Sequence, residues 1–244
     1  MNTRVMRFHT FVMRYRDDCA APTVSGALRD LAVRALAPAT VLFAVIVAIG
    51  MIIVGPLGGL PREAKANREL QEERSSTWDT ITHVWSFVGN TEIVIGVCVV
   101  AVIGLLIWCR QWWLAVVPAI AISLQATVFV LATWITDRQR PPVDRLDPAP
   151  PTSSFPSGHV GAATALYVTF AMFAQRIEHR GIRRLVTAIC LIIPVLVAYA
   201  RVYRGMHHVT DVTVGLLNGL ACAMLAWRYL RRRSTPMGAP SSSS

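Results

Sequence analysis

Uncharged apolar runs alternate along the chain with shorter polar stretches. Runs 35–60 and 111–136 carry no charged side chain, and 93–109 is a third such run. Three more, 160–175, 185–200 and 212–227, are uncharged but shorter. The hydrocarbon core of a bilayer takes about 20 residues of helix, because nothing there can satisfy an exposed backbone group. The two longest runs therefore predict spanning helices, and the third lies near the short limit. Any of the last three, alone, would pass for a buried helix of a soluble protein. In company with the others they predict an all-α polytopic membrane protein, with six transmembrane helices in a bundle.

The stretches between the runs differ in character. Residues 61–77 are polar and of mixed charge, and predict a surface helix with local pairs such as Lys65–Glu69 and Arg68–Glu72. Residues 137–156 contain Pro141, Pro142, Pro148, Pro150, Pro151 and Pro156, which exclude a helix. Residues 234–244 are low-complexity and are expected to be disordered. The domain reading is a tail at 1–34, a six-helix domain at 35–232 and a tail at 233–244. The first apolar run starts too late for an ordinary cleaved signal peptide, so the first span is expected to be retained. Small residues repeat every four positions at Ser157, Gly161 and Ala165, and again after Asp211 at Gly215, Gly219 and Ala223. Such stripes let membrane helices approach closely. The fourth and sixth spans are expected to pack together through them.

Composition agrees with this frame. The chain is 54% hydrophobic and 16% charged, where a soluble domain carries about 25% charged residues. Net charge is +10. Six spans put both tails on one side, together with Arg4, Arg7, Arg14, Arg16, Arg29, Arg34, Arg110, Arg176, Arg180, Arg183, Arg184, Arg228, Arg231, Arg232 and Arg233. The opposite side collects Glu63, Glu69, Glu72, Glu73, Asp79, Asp137, Asp144 and Asp147. The positive-inside rule then places both termini in the cytoplasm. Trp108, Trp112, Trp113, Trp227 and Tyr229 fall at the inner ends, and Trp78, Trp85, Trp134 and Tyr203 at the outer ends, as interfacial belts do. No basic stripe is interleaved with stacking aromatics, which argues against a nucleic-acid partner. The five cysteines, Cys19, Cys98, Cys109, Cys190 and Cys222, show neither metal-ligand spacing nor a disulfide framework.

Three constellations carry chemistry, all at outer ends of spans. Arg138, Arg140, Arg201 and Arg204 form two arginine pairs with little carboxylate nearby in sequence. Forked guanidinium donors suit phosphate. Pro156-Ser157-Gly158-His159 opens the fourth span. Ser157 is a good N-cap, and the Gly158 and His159 amides point out of a helix N-terminus, a ready anion site. Third is Arg201-x5-His207-x3-Asp211. On a helix, His207 and Asp211 would share a face, and a carboxylate on one imidazole nitrogen frees the other to attack. His208 and Tyr203 have no partner at readable spacing and are expected to be structural.

These motifs resemble the phosphatidic acid phosphatase type 2 family of membrane lipid phosphatases. Its pattern is Lys-x6-Arg-Pro, Pro-Ser-Gly-His and Ser-Arg-x5-His-x3-Asp, matched here by Arg140-Pro141, by 156–159, and by Arg201, His207 and Asp211. Thr133 stands at the family's lysine, and Ala200 at the serine before the third-motif arginine. Arg138 is the candidate to replace the missing lysine. The resemblance implies that His207 is the nucleophile, passing through a phosphohistidine, and that Asp211 orients it. It implies that His159 is acid and then base, and that Arg140, Arg201, Ser157 and Gly158 hold phosphate, with Arg138 beside them. It implies a lipid phosphate or diphosphate as substrate, of polyprenyl diphosphate or phosphatidate type, hydrolysed on the extracytoplasmic side of the cell membrane. No cofactor or metal is implied, because fixed arginine charge does what Mg²⁺ does elsewhere. A phosphotransferase on the same scaffold and a non-catalytic lipid-phosphate binder are the alternatives. Oligomeric state is open.

Overall fold

The computed structural model describes residues 21–149 and 151–230. The expectations for Arg4, Arg7, Arg14, Arg16, Cys19, Pro150, Arg231, Arg232, Arg233 and the tail 233–244 lie outside the described residues. Among those described, the regular structure is all helix.

Helix α1, Val24–Val54, begins well before the apolar run, with Thr23 Oγ1 accepting from Gly26 N as its cap. The last residues of the expected tail, 24–34, are therefore continuous with the first apolar helix. Gly58 and Gly59 turn the chain in the left-handed region at φ +58° and +77°, where glycine carries no Cβ penalty. The polar stretch follows as α2, Pro61–Glu72, and the expected Lys65–Glu69 pair is present at 3.6 Å. Helix α3, Ser76–Val88, was not expected. Its signals are the Ser75 cap, Asp79 in the first turn, and apolar Trp78, Ile81, Trp85 and Val88 at helical spacing.

Next come α4, Thr91–Cys109, and α5, Trp112–Thr136; then α6, Gly158–Ala174, α7, Arg180–Tyr203, and α8, Val209–Arg228. Five of these helices (α1, α4, α5, α7 and α8) are long and apolar enough to cross a membrane, and α6 is an apolar helix of 17 residues. Of the six expected spans, five are helices of spanning length, and the other, α6, is an apolar helix below that length. Burial explains the difference. Helix α6 packs against α4, α5, α7 and α8, so its sides meet protein rather than lipid. Helix α4 shows the opposite pattern, exposing Val99, Val100, Ile103, Ile107 and Trp108. In water such a surface would drive aggregation, whereas in a bilayer it is the solvated face.

Close approach of α6 and α8 sets the bundle's centre. A Cβ on Gly219 would lie 2.4 Å from the Gly161 carbonyl oxygen and 2.5 Å from Thr164 Cβ. One on Gly215 would lie 2.8 Å from the Ser157 carbonyl. The small stripe of α8 therefore meets the backbone of α6, as its spacing predicts. Gly161 differs in detail, since its Cβ direction points at the Gln125 side chain of α5. This distinction is measurable. Gly219→Ala forces two backbones apart and is expected to lower stability by about 1–3 kcal/mol. Gly161→Ala meets a movable side chain and should cost less. Thermal unfolding of the detergent-solubilised variants ranks them; equal losses would contradict the packing.

Candidate functional site

The three constellations meet at one end of the bundle. The backbone N–H of Ser157 donates to the Asp211 carbonyl at 3.0 Å, joining the second motif to the third. Ser154 N donates to the Arg138 carbonyl at 2.9 Å, and Ser153 Oγ accepts from Arg138 N at 2.9 Å. These bonds fold the proline-rich loop back on itself, so that 138–140 lie beside 152–155. Arg140 Nη1 donates to the Met206 carbonyl at 2.8 Å, joining the first motif to the third.

His207 sits before α8, not on it. Gly205, at φ +70°, ends α7 and turns the chain; a Cβ there would lie 2.7 Å from the Asp144 carbonyl. Asn67 of α2 pins this turn from outside, its Nδ2 donating to the carbonyls of Val202 and His207 at 3.3 and 3.2 Å. The Nδ1 of His207 lies 2.8 Å from the Ser154 carbonyl, which can only accept. That contact puts the proton on Nδ1 and leaves Nε2 with a free lone pair. Asp211 Oδ2 is farther, at 3.8 Å. The expectation that Asp211 alone fixes the ring is therefore modified: a carbonyl makes the close contact and the carboxylate adds charge. Burial pushes the His207 imidazole below its ordinary range, against the pull of Asp211, and the Arg201 and Arg140 charges add to the lowering.

Asp211 has other commitments. Its Oδ2 accepts from His208 N at 2.8 Å and lies 3.2 Å from His208 Nδ1, closing a capping box at the start of α8. His208 therefore does have a partner. Asp211 Oδ1 accepts from Arg138 Nη1. The other nitrogen of that fork, Nη2, donates to Glu63 at 2.7 Å and to the Gly59 carbonyl at 2.9 Å. Arg138 commits both terminal nitrogens of its fork to carboxylates, a hydroxyl and a carbonyl, and only its Nε is left without a partner among the described residues. Thr133 is buried, and its hydroxyl has no partner among the described residues.

The second arginine pair divides in the same way. Arg204 is consumed by Asp147, the Asp79 and Leu146 carbonyls and Thr82. Arg201 gives only Nη1, to Ser86 Oγ and Asp147 Oδ2, each at 2.9 Å. Burial acts to raise the Asp147 carboxyl, but its bonds and charge contacts with Arg204 and Arg201 outweigh this and hold it below the usual carboxylate range. The carboxylates that sequence spacing placed far from the arginines are thus adjacent in space. Glu63, Asn67, Ser86, Asp147 and Ser154 are site residues that spacing did not reveal.

What remains unpaired defines a cup. Arg140 Nε, Arg201 Nε, Ser157 Oγ and also Arg138 Nε are buried donors with no partner among the described residues. Ser157 makes no cap bond to its own helix, so the first amides of α6, beginning at Gly158, also stay open. His159 lies within electrostatic reach of Arg201, His207, Asp147 and Arg140. Buried donors seldom go unsatisfied, and this set matches the oxygens of a phosphate group. Among the described residues, no three His, Cys, Asp or Glu side chains are grouped to hold a metal ion.

Fold and site together define a polytopic membrane protein with a cluster of buried, unpartnered arginine and serine donors at one end of its helix bundle. The chain belongs to the PAP2 superfamily, whose profile matches residues 112–235. Phosphatidylglycerophosphatase B of Bacillus subtilis (strain 168) is 39% identical over 99 residues, covering 37% of this chain and 45% of that protein. The match thus spans less than half of that relative's length. The crystal structure of a transmembrane PAP2 type phosphatidylglycerolphosphate phosphatase from Bacillus subtilis superposes with a TM-score of 0.65 at 22% identity, covering 78% of this chain and 93% of that one. That of Aquifex aeolicus LpxE gives 0.54 at 24% identity, covering 68% and 94%. At these identities the likeness to the solved structures is one of fold.

The division of the arginines is testable. Arg138→Ala strands the buried Asp211 carboxylate and is expected to cost about 3–5 kcal/mol of stability. Where the variant is held folded, orthovanadate, a phosphate mimic, should still bind. Loss of vanadate affinity without loss of stability would return Arg138 to the phosphate shell.

Proposed function

We propose that the protein is a membrane lipid phosphatase that hydrolyses a lipid phosphate through a phosphohistidine on His207. The observation that carries this reading is the set of buried, unpartnered donors, Arg140 Nε, Arg201 Nε and Ser157 Oγ, together with His207, whose Nδ1 is tied to Ser154 and whose Nε2 is left to attack. Membership of the PAP2 superfamily and the phosphatase names of its relatives support it.

In this reading Nε2 of His207 attacks phosphorus in line. The bond from phosphorus to the lipid oxygen breaks, and that oxygen leaves with its electron pair and takes a proton from His159. Water then attacks phosphorus and gives its proton to His159, and the P–N bond breaks with its pair returning to His207. Arg140, Arg201, Ser157 Oγ and the Gly158 amide hold the equatorial oxygens throughout. Donors fixed in advance supply much of the catalysis in phosphoryl transfer, because they need no reorganisation as charge develops. Ser154 and Asp211 hold the Nδ1–H, and Asp211 stabilises the charged imidazole. Arg138 serves from behind, keeping Asp211 in place.

The site residues lie at the helix ends opposite those that carry Arg110, Arg176, Arg180, Arg183, Arg184 and Arg228. The positive-inside rule supports an extracytoplasmic site with both termini in the cytoplasm. That placement and the names of the relatives favour phosphatidylglycerophosphate, phosphatidate or polyprenyl diphosphate as substrate.

His207→Ala is expected to abolish both phosphate release and phospho-enzyme trapping across a panel of lipid monophosphates and diphosphates. Wild-type protein that yields an acceptor-dependent product and no inorganic phosphate would identify a transferase instead. Turnover is expected to survive EDTA; a loss reversed by Mg²⁺ would overturn arginine-only charge stabilisation. Because His207 is shifted down, its neutral, attacking form persists as pH falls. The acid limb of kcat/KM is therefore expected below the ordinary histidine value of about 6.5, and a limb above it would contradict the buried, carbonyl-held ring.

A further inference from the structure

The reaction just described needs one nitrogen of His159 to release and then accept a proton, while the other keeps the ring still. We propose that Asn90 is the positioning residue that does this, holding His159 Nε2 so that Nδ1 carries the proton traffic; the proposal rests on the phosphatase reading above. His159 Nε2 lies 3.1 Å from Asn90 Oδ1. An amide oxygen only accepts, so Nε2 carries the hydrogen in this contact and Nδ1 is the remaining nitrogen.

Two further observations support the assignment. Asn90 is the N-cap of α4, with extended backbone at φ −62° and ψ 142°. An asparagine there usually turns its side-chain oxygen to the N–H groups of its own helix. Asn90 makes no such cap bond, and its oxygen goes to His159 instead. The turn that carries it is also held tightly: a Cβ on Gly89 would lie 2.6 Å from Val197 Cγ1 of α7. Asn90 is therefore presented from a fixed junction between α3 and α4, beside the helix that bears Arg201.

The choice of an amide has a physical reason. His159 already stands among Arg201, Arg140, Asp147 and His207. A carboxylate at position 90 would orient the ring equally well but would stabilise its protonated form, opposing proton release. A neutral amide orients the ring without adding charge. The asparagine of Cys-His-Asn proteases stands to its histidine in the same way. In the first step Nδ1–H passes its proton to the departing lipid oxygen, leaving a neutral ring with its hydrogen on Nε2. In the second step Nδ1 takes a proton from water. The Nε2–H to Asn90 bond stays intact through both.

The test uses the full chain in detergent micelles. With ¹⁵N-labelled histidine, the neutral His159 ring, assigned by its loss in His159→Ala, is expected as the Nε2–H tautomer, and Asn90→Ala is expected to lose that preference. An Nδ1–H tautomer in the wild type, or no change in the variant, overturns the proposal whether or not the protein turns over lipid. Kinetics give the second arm, with short-chain phosphatidate as probe. Asn90→Ala is expected to lower kcat about 10-fold or more, within the range of general acid–base catalysis, with little change in KM. In a His159→Ala background the same change is expected to do nothing further. Additive losses, or a loss carried by KM, would make Asn90 a merely structural residue. An inactive wild type that keeps the tautomer would overturn the phosphatase reading and leave the contact standing.

Discussion

Arg138 is 3% exposed, and its guanidinium is shared between Asp211 and Glu63. The first carboxylate begins α8 and the second belongs to α2, while the arginine itself opens the proline-rich loop. Three segments distant in sequence are thus joined through one fork. Asp211 extends the connection, since its carboxylate caps α8 through His208 and its carbonyl receives the Ser157 N–H. A buried ion pair adds little net stability, because desolvation cancels much of the attraction, but a broken one leaves a charge stranded. Its effect is therefore to exclude other arrangements: the loop, the outer helix and the last span have one mutual position in which no charge is bare.

The same accounting separates structural from ligand-facing arginines. Charge at the end of a membrane bundle is costly unless paired. Arg204 is fully engaged with Asp147 and neighbouring carbonyls, and Arg138 has both terminal nitrogens on carboxylates, Asp211 and Glu63. Arg140 is held only by the Met206 and Thr152 carbonyls, with no carboxylate bonded to it, and Arg201 only through Nη1, by Ser86 and Asp147; each keeps Nε for a ligand. Four guanidiniums face three carboxylates, which leaves the cup positive without leaving its supports unpaired. That surplus is what a phosphate neutralises.

Helix α6 explains how the cup stays ordered. It is short, rich in small residues and surrounded by protein, so its N-terminus is fixed by packing on several sides. Gly219 and Gly215 of α8 press against its backbone at Gly161 and Ser157, which brings the start of α8, and with it Asp211, beside Ser157. The outer helices α2 and α3 add the rest: Asn67 holds the His207 turn, and Ser86 holds Arg201. Two helices of only 12 and 13 residues thus complete the site.

Much of this was legible in the chain before folding. Uncharged runs cannot be solvated outside a bilayer, so they marked the helices; glycine repeats marked the α6–α8 contact; and Pro-Ser-Gly-His and Arg-x5-His-x3-Asp marked the site by residue type. Helix α3 was missed because its apolar positions are interrupted by polar ones. The shortness of α6 was visible, but its meaning depended on which neighbours surround it. Spacing also favoured Asp211 as the only partner of His207, since it sees side chains four apart and is blind to the carbonyl of Ser154. For the same reason it could not tell Arg138 from Arg140. Those two differ only in what lies around them, Glu63 and Asp211 for one and Met206 for the other, and long-range charge pairing is decided by tertiary contact rather than by order along the chain.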